Sequence, residues 1–148
     1  MLSRSSSPAG RAVPPSIWEV LNVAPRGAAL YQALDAGFPA EVFPKLGEAA
    51  GLSRERLGRA LDIAPATLQR RAKSGRFTRD ESDRLFRLIK LLNLATDLFE
   101  GDADAAREWI NHPVKGLGER RPVDMLATSA EADEVFNLIG RLEHGVFA

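Results

Sequence analysis

The stretch SRERLGRALDIAPATLQRRAKSG, Ser53 to Gly75, decides how this chain folds. Ser53 carries the hydroxyl of a helix N-cap, which satisfies one of the free amide groups of a first turn. Leu57 and Leu61 follow at i and i+4 and share the inner face of that helix. Gly58 lies between them and is small. Ile63 is apolar inside a tight connection, and Pro65 suits the first position of a second helix. Leu68 points inward from that second helix, and Gly75 closes it. Two short helices with a small residue at their crossing, an apolar residue in the turn and a polar outer face have the anatomy of a helix-turn-helix. Two positions depart from the usual form. Asp62 occupies the turn where Gly is commonest, and Arg71 stands where an apolar residue often packs.

In that anatomy the second helix enters the major groove of DNA. Its outward residues are Ala66, Thr67, Gln69, Arg70 and Lys73. Gln pairs with adenine and Arg with guanine in bidentate fashion, so these side chains suit base edges. Arg71, in the same basic run, is counted with them. Ser53, Arg54, Arg76 and Arg79 stand where they clamp phosphates, which fixes register without reading sequence. One copy reads little, because each base pair contributes only about 1 to 3 kcal/mol of discrimination. A dimer is therefore expected, with its two recognition helices one DNA turn, ~34 Å, apart. A helical hairpin serving only as scaffold is the bland alternative.

On either side, helix signals dominate. Residues 1–16, rich in Ser, Pro, Gly and Arg, read as a disordered tail. IWEVLNV, 17–23, reads as a short strand or a helical turn. Gly27 to Ala36 places Leu30, Tyr31 and Leu34 on one helical face and ends at Gly37. Pro39 suits the start of a further helix to about Ala50, with Pro44 as a later starting point. Thr78 and Glu81 make a capping box for a long helix over 78–99. That helix carries Leu85, Leu88, Ile89, Leu92 and Phe99 in one stripe and Leu91, Leu94 and Leu98 in a second, so it is covered on more than one side. Asp102 or Asp104 caps a helix with Trp109 and Ile110 inward, stopping at Asn111-His112-Pro113. A Gly-containing link, Lys115 to Gly118, leads to a short helix ending at Met125 and Leu126. Thr128 or Ser129 then caps a last helix whose inner face is Val135, Leu138, Ile139 and Leu142. The expected architecture is all-α: a helical N-terminal region over 17–99, holding the helix-turn-helix at 53–75, and a smaller helical domain over 100–148.

Composition narrows the function. The chain has 148 residues, 45% of them hydrophobic, enough for a real core. Cysteine is absent, which excludes disulfides and thiolate metal sites, and no apolar run approaches a membrane span. These features point to the cytoplasm. Net charge is zero but unevenly placed: Arg54 to Lys90 holds 11 Lys and Arg against 5 Asp and Glu, whereas Glu100 to Ala148 holds 5 against 10. Such asymmetry implies different partners for the two halves, with solvated helix faces as the plain alternative. His112 and His144 lack the local companion of a metal pair. Asp102, Asp104, Glu131, Asp133 and Glu134 sit at helix starts, where the helix dipole favours carboxylates. With no nucleophile-base pair, no phosphate loop and no ligand spacing, neither an enzyme nor a cofactor is expected.

The end of the chain, RLEHGVFA from Arg141, is apolar where termini usually fray. Burial of the Phe147 ring is worth roughly 2 to 3 kcal/mol, either on this protein's own Trp109 and Ile110 or in a partner's cleft. Taken together, APATLQRRAKSGRFTRDESDRL, AREWINHPVKGLGERRPVDMLAT and LIGRLEHGVFA resemble the Xre-type antitoxins of bacterial Res-Xre toxin-antitoxin modules, which share a C-terminal domain with the MbcA and ParS antitoxins. The resemblance covers roughly residues 28–148. It is most specific where a Trp helix ends in Asn-x-Pro, followed by Arg-Pro-x-Asp-x-Leu and a closing Glu-x-Gly. It implies an antitoxin that represses its own operon through the basic half. It also implies neutralisation of an NAD-degrading Res toxin by obstruction of the toxin's active-site entrance, with homodimers and larger assemblies with toxin. By this analogy Arg141, Glu143, His144, Gly145, Val146 and Phe147 contact the toxin, with Glu119-Arg120-Arg121 either a solvated loop or an Arg cluster beside the cleft. The competing reading is a stand-alone helix-turn-helix regulator whose C-terminal half dimerises or binds a ligand.

Overall fold

The computed structural model describes residues 14–145. Among these residues the chain forms eight α-helices and two 3₁₀ turns, with only isolated bridges, Pro39 with Arg76 and Val114 with Arg120, in place of strands. The fold is all-α. Among the described residues no helix is long and apolar enough to cross a membrane.

The IWEVLNV stretch is helical: α1 spans Ile17–Leu21, with Ser16 and Glu19 closing a capping box and Asn22 ending it in the left-handed conformation. Local capping outweighs the β-branched residues there, and Ser16, inside the segment expected to be tail, is part of that cap; residues 1–13 of that segment lie outside the described residues. The α2 helix, Gly27–Ala36, buries Leu30 and half-buries Leu34, but Tyr31 is 64% exposed and does not share their inner face. The next helix, α3, spans Val42–Ala50 and starts later than Pro39, because Pro39 is held in the bridge to Arg76. Helices α4 (Arg54–Ala60) and α5 (Pro65–Ser74) form the expected helical pair, and α6 is the long helix, Arg79–Leu98, with the Thr78–Glu81 capping box.

Asp102 caps α7, Ala103–Ile110. The Gly-containing link holds a 3₁₀ turn at Lys115–Leu117, and the short helix after it is a second 3₁₀ turn, Pro122–Met125. Thr128 caps α8, Ser129–Glu143.

One apolar core runs through both halves. It extends from Leu21 and Leu30 through Leu46, Leu57 and Leu68 to Ile110, Met125, Val135 and Ile139. Helix α6 is its axis: Leu85, Leu88, Ile89, Leu91 and Ala95 are fully buried, and α6 packs against α1, α2 and α3 as well as α7 and α8. Aromatic pairs pack against this core, Trp18 with Phe86 and Phe99 with Trp109, ring centroids 5.6 and 6.5 Å apart. Trp109 is thus half-buried against α6.

Candidate nucleic-acid interface and the exposed end of the last helix

The crossing of α4 and α5 is as tight as the glycine allows. A Cβ on Gly58 would stand 2.9 Å from the Ile63 carbonyl oxygen and 3.3 Å from Leu68 Cδ1. Asp62 takes the left-handed conformation of the turn, φ +55°, which Asp tolerates better than most residues. Arg84 of α6 secures that turn by donating from one Nη1 to the Leu61 and Asp62 carbonyls at 2.8 and 2.7 Å. The recognition helix is therefore pinned from behind.

On its outer side, Ala66, Gln69, Arg70 and Lys73 are exposed and Thr67 is half-exposed, with Arg70 donating to the Thr67 hydroxyl at 3.1 Å. These five expected base-edge residues share one face. Arg71 is placed differently. Its guanidinium grips Glu81 with Nε to Oε1 at 2.7 Å and Nη2 to Oε2 at 2.9 Å, in the place where an apolar residue often packs. Glu81 is buried, and it also accepts the Thr78 amide at 2.9 Å. The Arg71 hydrogen bond, against the cost of burial, holds the Glu81 carboxyl below its ordinary range and raises the Arg71 guanidinium above its own.

The expected phosphate clamps divide as well. Ser53 accepts from the Arg56 amide as N-cap, and Arg54 is exposed with its guanidinium 6.0 Å from the centre of the Phe43 ring. Arg76 donates to the Gly37 carbonyl at 2.7 Å, which ties the segment after α5 to the end of α2. Arg79 meets Asp35 at 3.4 Å, both side chains wide open to water, a pair that solvent screens.

The two halves are fastened by polar contacts that sequence spacing does not reveal. Arg56 of α4 meets Asp124 of the second 3₁₀ turn at 2.6 Å, and Arg87 of α6 donates to the Leu126 carbonyl at 3.0 Å. Asn111, the Asn of the Asn-x-Pro motif, donates to the Ala50 carbonyl at 2.9 Å and so joins α7 to α3. In the acidic half, Arg120 bridges to Glu131 at 2.6 Å; that contact, and the Thr128 hydroxyl, lower the Glu131 carboxyl. This fixes Arg120 of the Glu119-Arg120-Arg121 run to the start of α8, while Arg121 is exposed.

At the other end of α8, Arg141 is half-exposed, and Glu143, His144 and Gly145 are exposed. Gly145 has φ +71°, the conformation that turns a chain off a helix end. Val146 and Phe147 lie outside the described residues. Among the described residues no group of three or more His, Asp or Glu side chains is placed to hold a metal ion.

Comparison with known proteins matches both halves. Residues 29–90 match the antitoxin Xre-like helix-turn-helix domain, and residues 94–145 match the antitoxin Xre/MbcA/ParS C-terminal toxin-binding domain. The chain is similar to an "Antitoxin Xre" of Yersinia enterocolitica, 39% identical over 90% of this chain and 91% of that one. A second "Antitoxin Xre", from Photorhabdus laumondii, is 37% identical over 81% and 82%. A "Prs ADP-ribosylating antitoxin" of a Sphingobium strain is 26% identical over 60% of this chain and 62% of that one. With a helix-turn-helix head and a toxin-binding half on one continuous core, this chain belongs to the Xre antitoxin family.

Proposed function

We propose that this protein neutralises a Res-domain, NAD-degrading toxin by covering its active-site entrance, and represses its own operon by binding operator DNA as a homodimer. Both activities belong in the bacterial cytoplasm, and the antitoxin acts by binding, without catalysis of its own. The observation that carries the reading is the end of α8. There Glu143, His144 and Gly145 stand clear of the core, and Gly145 takes the left-handed conformation that ends a helix, which leaves this end of α8 open to a partner. Arg141, Glu143, His144, Gly145, Val146 and Phe147 are the proposed toxin contacts. Ser53, Arg54, Ala66, Thr67, Gln69, Arg70, Lys73 and Arg79 remain the proposed DNA contacts. Arg71 and Arg76 leave that set, because their guanidinium groups are engaged within the fold.

The test is co-expression with a Res-domain toxin, reading growth and cellular NAD. Deletion of Gly145 to Ala148 is expected to release the toxin while promoter binding persists. A truncated chain that protects as well as the intact one overturns the plug. The name of the Sphingobium relative, with its reference to ADP-ribosylation, favours a second reading, in which the partner spends NAD on ADP-ribosylating a protein. Transfer of labelled ADP-ribose to protein in the unprotected cells, in place of bulk NAD loss, selects that reading.

A further inference from the structure

Between Arg54 and Lys90 lie eleven Lys and Arg residues. Six of them hold partners within the fold. Arg56 is on Asp124, Arg71 on Glu81, Arg76 on the Gly37 carbonyl, Arg84 on the helix-turn-helix turn, Arg87 on Asp83 and the Leu126 carbonyl, and Lys90 on the Phe136 ring face. Arg79 shares the open Asp35 contact. The remaining four, Arg54, Arg59, Arg70 and Lys73, all lie on α4 and α5, where Arg54 lies 6.0 Å from the centre of the Phe43 ring and Arg70 donates to the Thr67 hydroxyl one turn before it. Arg59 is the one the helix-turn-helix pattern does not nominate. It is exposed, with no hydrogen-bond or ion-pair partner among the described residues, although Glu55 lies one turn before it.

Arg59 and Arg54 line the same groove, a volume of about 500 Å³ between α4 and α5, floored by Ile63 and Leu68. The groove adjoins the start of the recognition helix. A duplex whose major groove receives α5 brings its sugar-phosphate backbone past the helix before it. We propose that this groove seats a stretch of operator backbone and that Arg59 is a further phosphate contact, on the same helix as Arg54. The proposal rests on the operator-binding reading above. Glu55 and Asp62 also line the groove, so the phosphate would run past two carboxylates that oppose it. Asp62 is the one whose removal leaves the fold undisturbed, because Asn accepts the same left-handed conformation.

The experiment titrates the full-length protein against a labelled duplex spanning the region upstream of its own gene, and against a scrambled duplex, over a range of salt. Arg59→Ala is expected to weaken both duplexes alike, roughly fivefold or more near physiological salt, and to reduce the slope of log affinity against log salt by about one. Arg59→Lys is expected to restore the slope. Asp62→Asn is expected to tighten binding to both duplexes, a gain that no folding defect produces. A slope unchanged in Arg59→Ala overturns the proposal, as does Asp62→Asn binding no tighter than wild type. Wild-type protein that binds neither duplex overturns the operator-binding reading itself, a result distinct from a failure of Arg59 alone.

Discussion

Glu81 shows how one side chain can be claimed by local and distant neighbours together. Its carboxylate closes the first turn of α6 through the Thr78 amide and receives a two-pronged grip from Arg71, ten residues earlier. Because the folded carboxyl is held below its ordinary range, the unfolded chain binds more protons on acidification, and stability rises with pH through that interval. The contribution is complete above the ordinary carboxylate pKa of about 4.3 and disappears as pH falls through the lower folded value. Thermal melts of wild type and Glu81→Gln between about pH 3 and pH 7 check this: the gap is expected to be widest near neutrality and to close in acid. A gap independent of pH would separate Glu81 from the titration. Sequence alone made Glu81 legible as half of a capping box, since that motif is four residues long. Its partnership with Arg71 was not legible, because it depends on how the start of α6 folds against α5. For the same reason Arg71 reads as a free cation in the sequence and is a bound one in the fold.

Among elements, the helical pair and the long helix were the easiest to read. Their caps, crossing glycine and apolar spacing are all local, and α4, α5 and α6 fall where those signals place them. Less legible was α1, whose β-branched and aromatic residues read equally as strand. Its assignment rests on the Ser16–Glu19 box and on Trp18 meeting Phe86, nearly 70 residues away. The start of α3 was displaced by Pro39, which a distant bridge holds outside the helix. The crossing of α4 and α5 makes a firm prediction. Gly58→Val is expected to cost about 2 to 3 kcal/mol, since its branches would meet the Ile63 carbonyl and Leu68 where even a Cβ is crowded. Chemical denaturation reads the loss, and a value under about 0.5 kcal/mol would show that the two helices part without strain. Arg84→Ala, by contrast, is expected to leave secondary structure intact and to weaken operator binding by loosening the turn that aims α5, as circular dichroism and DNA titration would show together.

At the scale of the molecule, head and toxin-binding half melt as one if the core is as continuous as its packing indicates. The chain has two tryptophans, and they report from different halves: Trp18 against Phe86 in the head, Trp109 of α7 against Phe99 in the other. Single-tryptophan variants, Trp18→Phe and Trp109→Phe, are expected to give coincident fluorescence transitions that also coincide with loss of helicity. Two separated midpoints would show that the halves fold independently. The Arg56–Asp124 pair spans the boundary but is partly open to water, so Asp124→Ala is expected to cost no more than about 1 kcal/mol and to leave the transition single. The two matched segments end at residue 90 and resume at residue 94, in the middle of α6. A lineage that trades one inhibitory arm for another by recombination at that seam therefore splices a single rigid rod, and must retune the residues on the rod's opposite flank before the hybrid can pack.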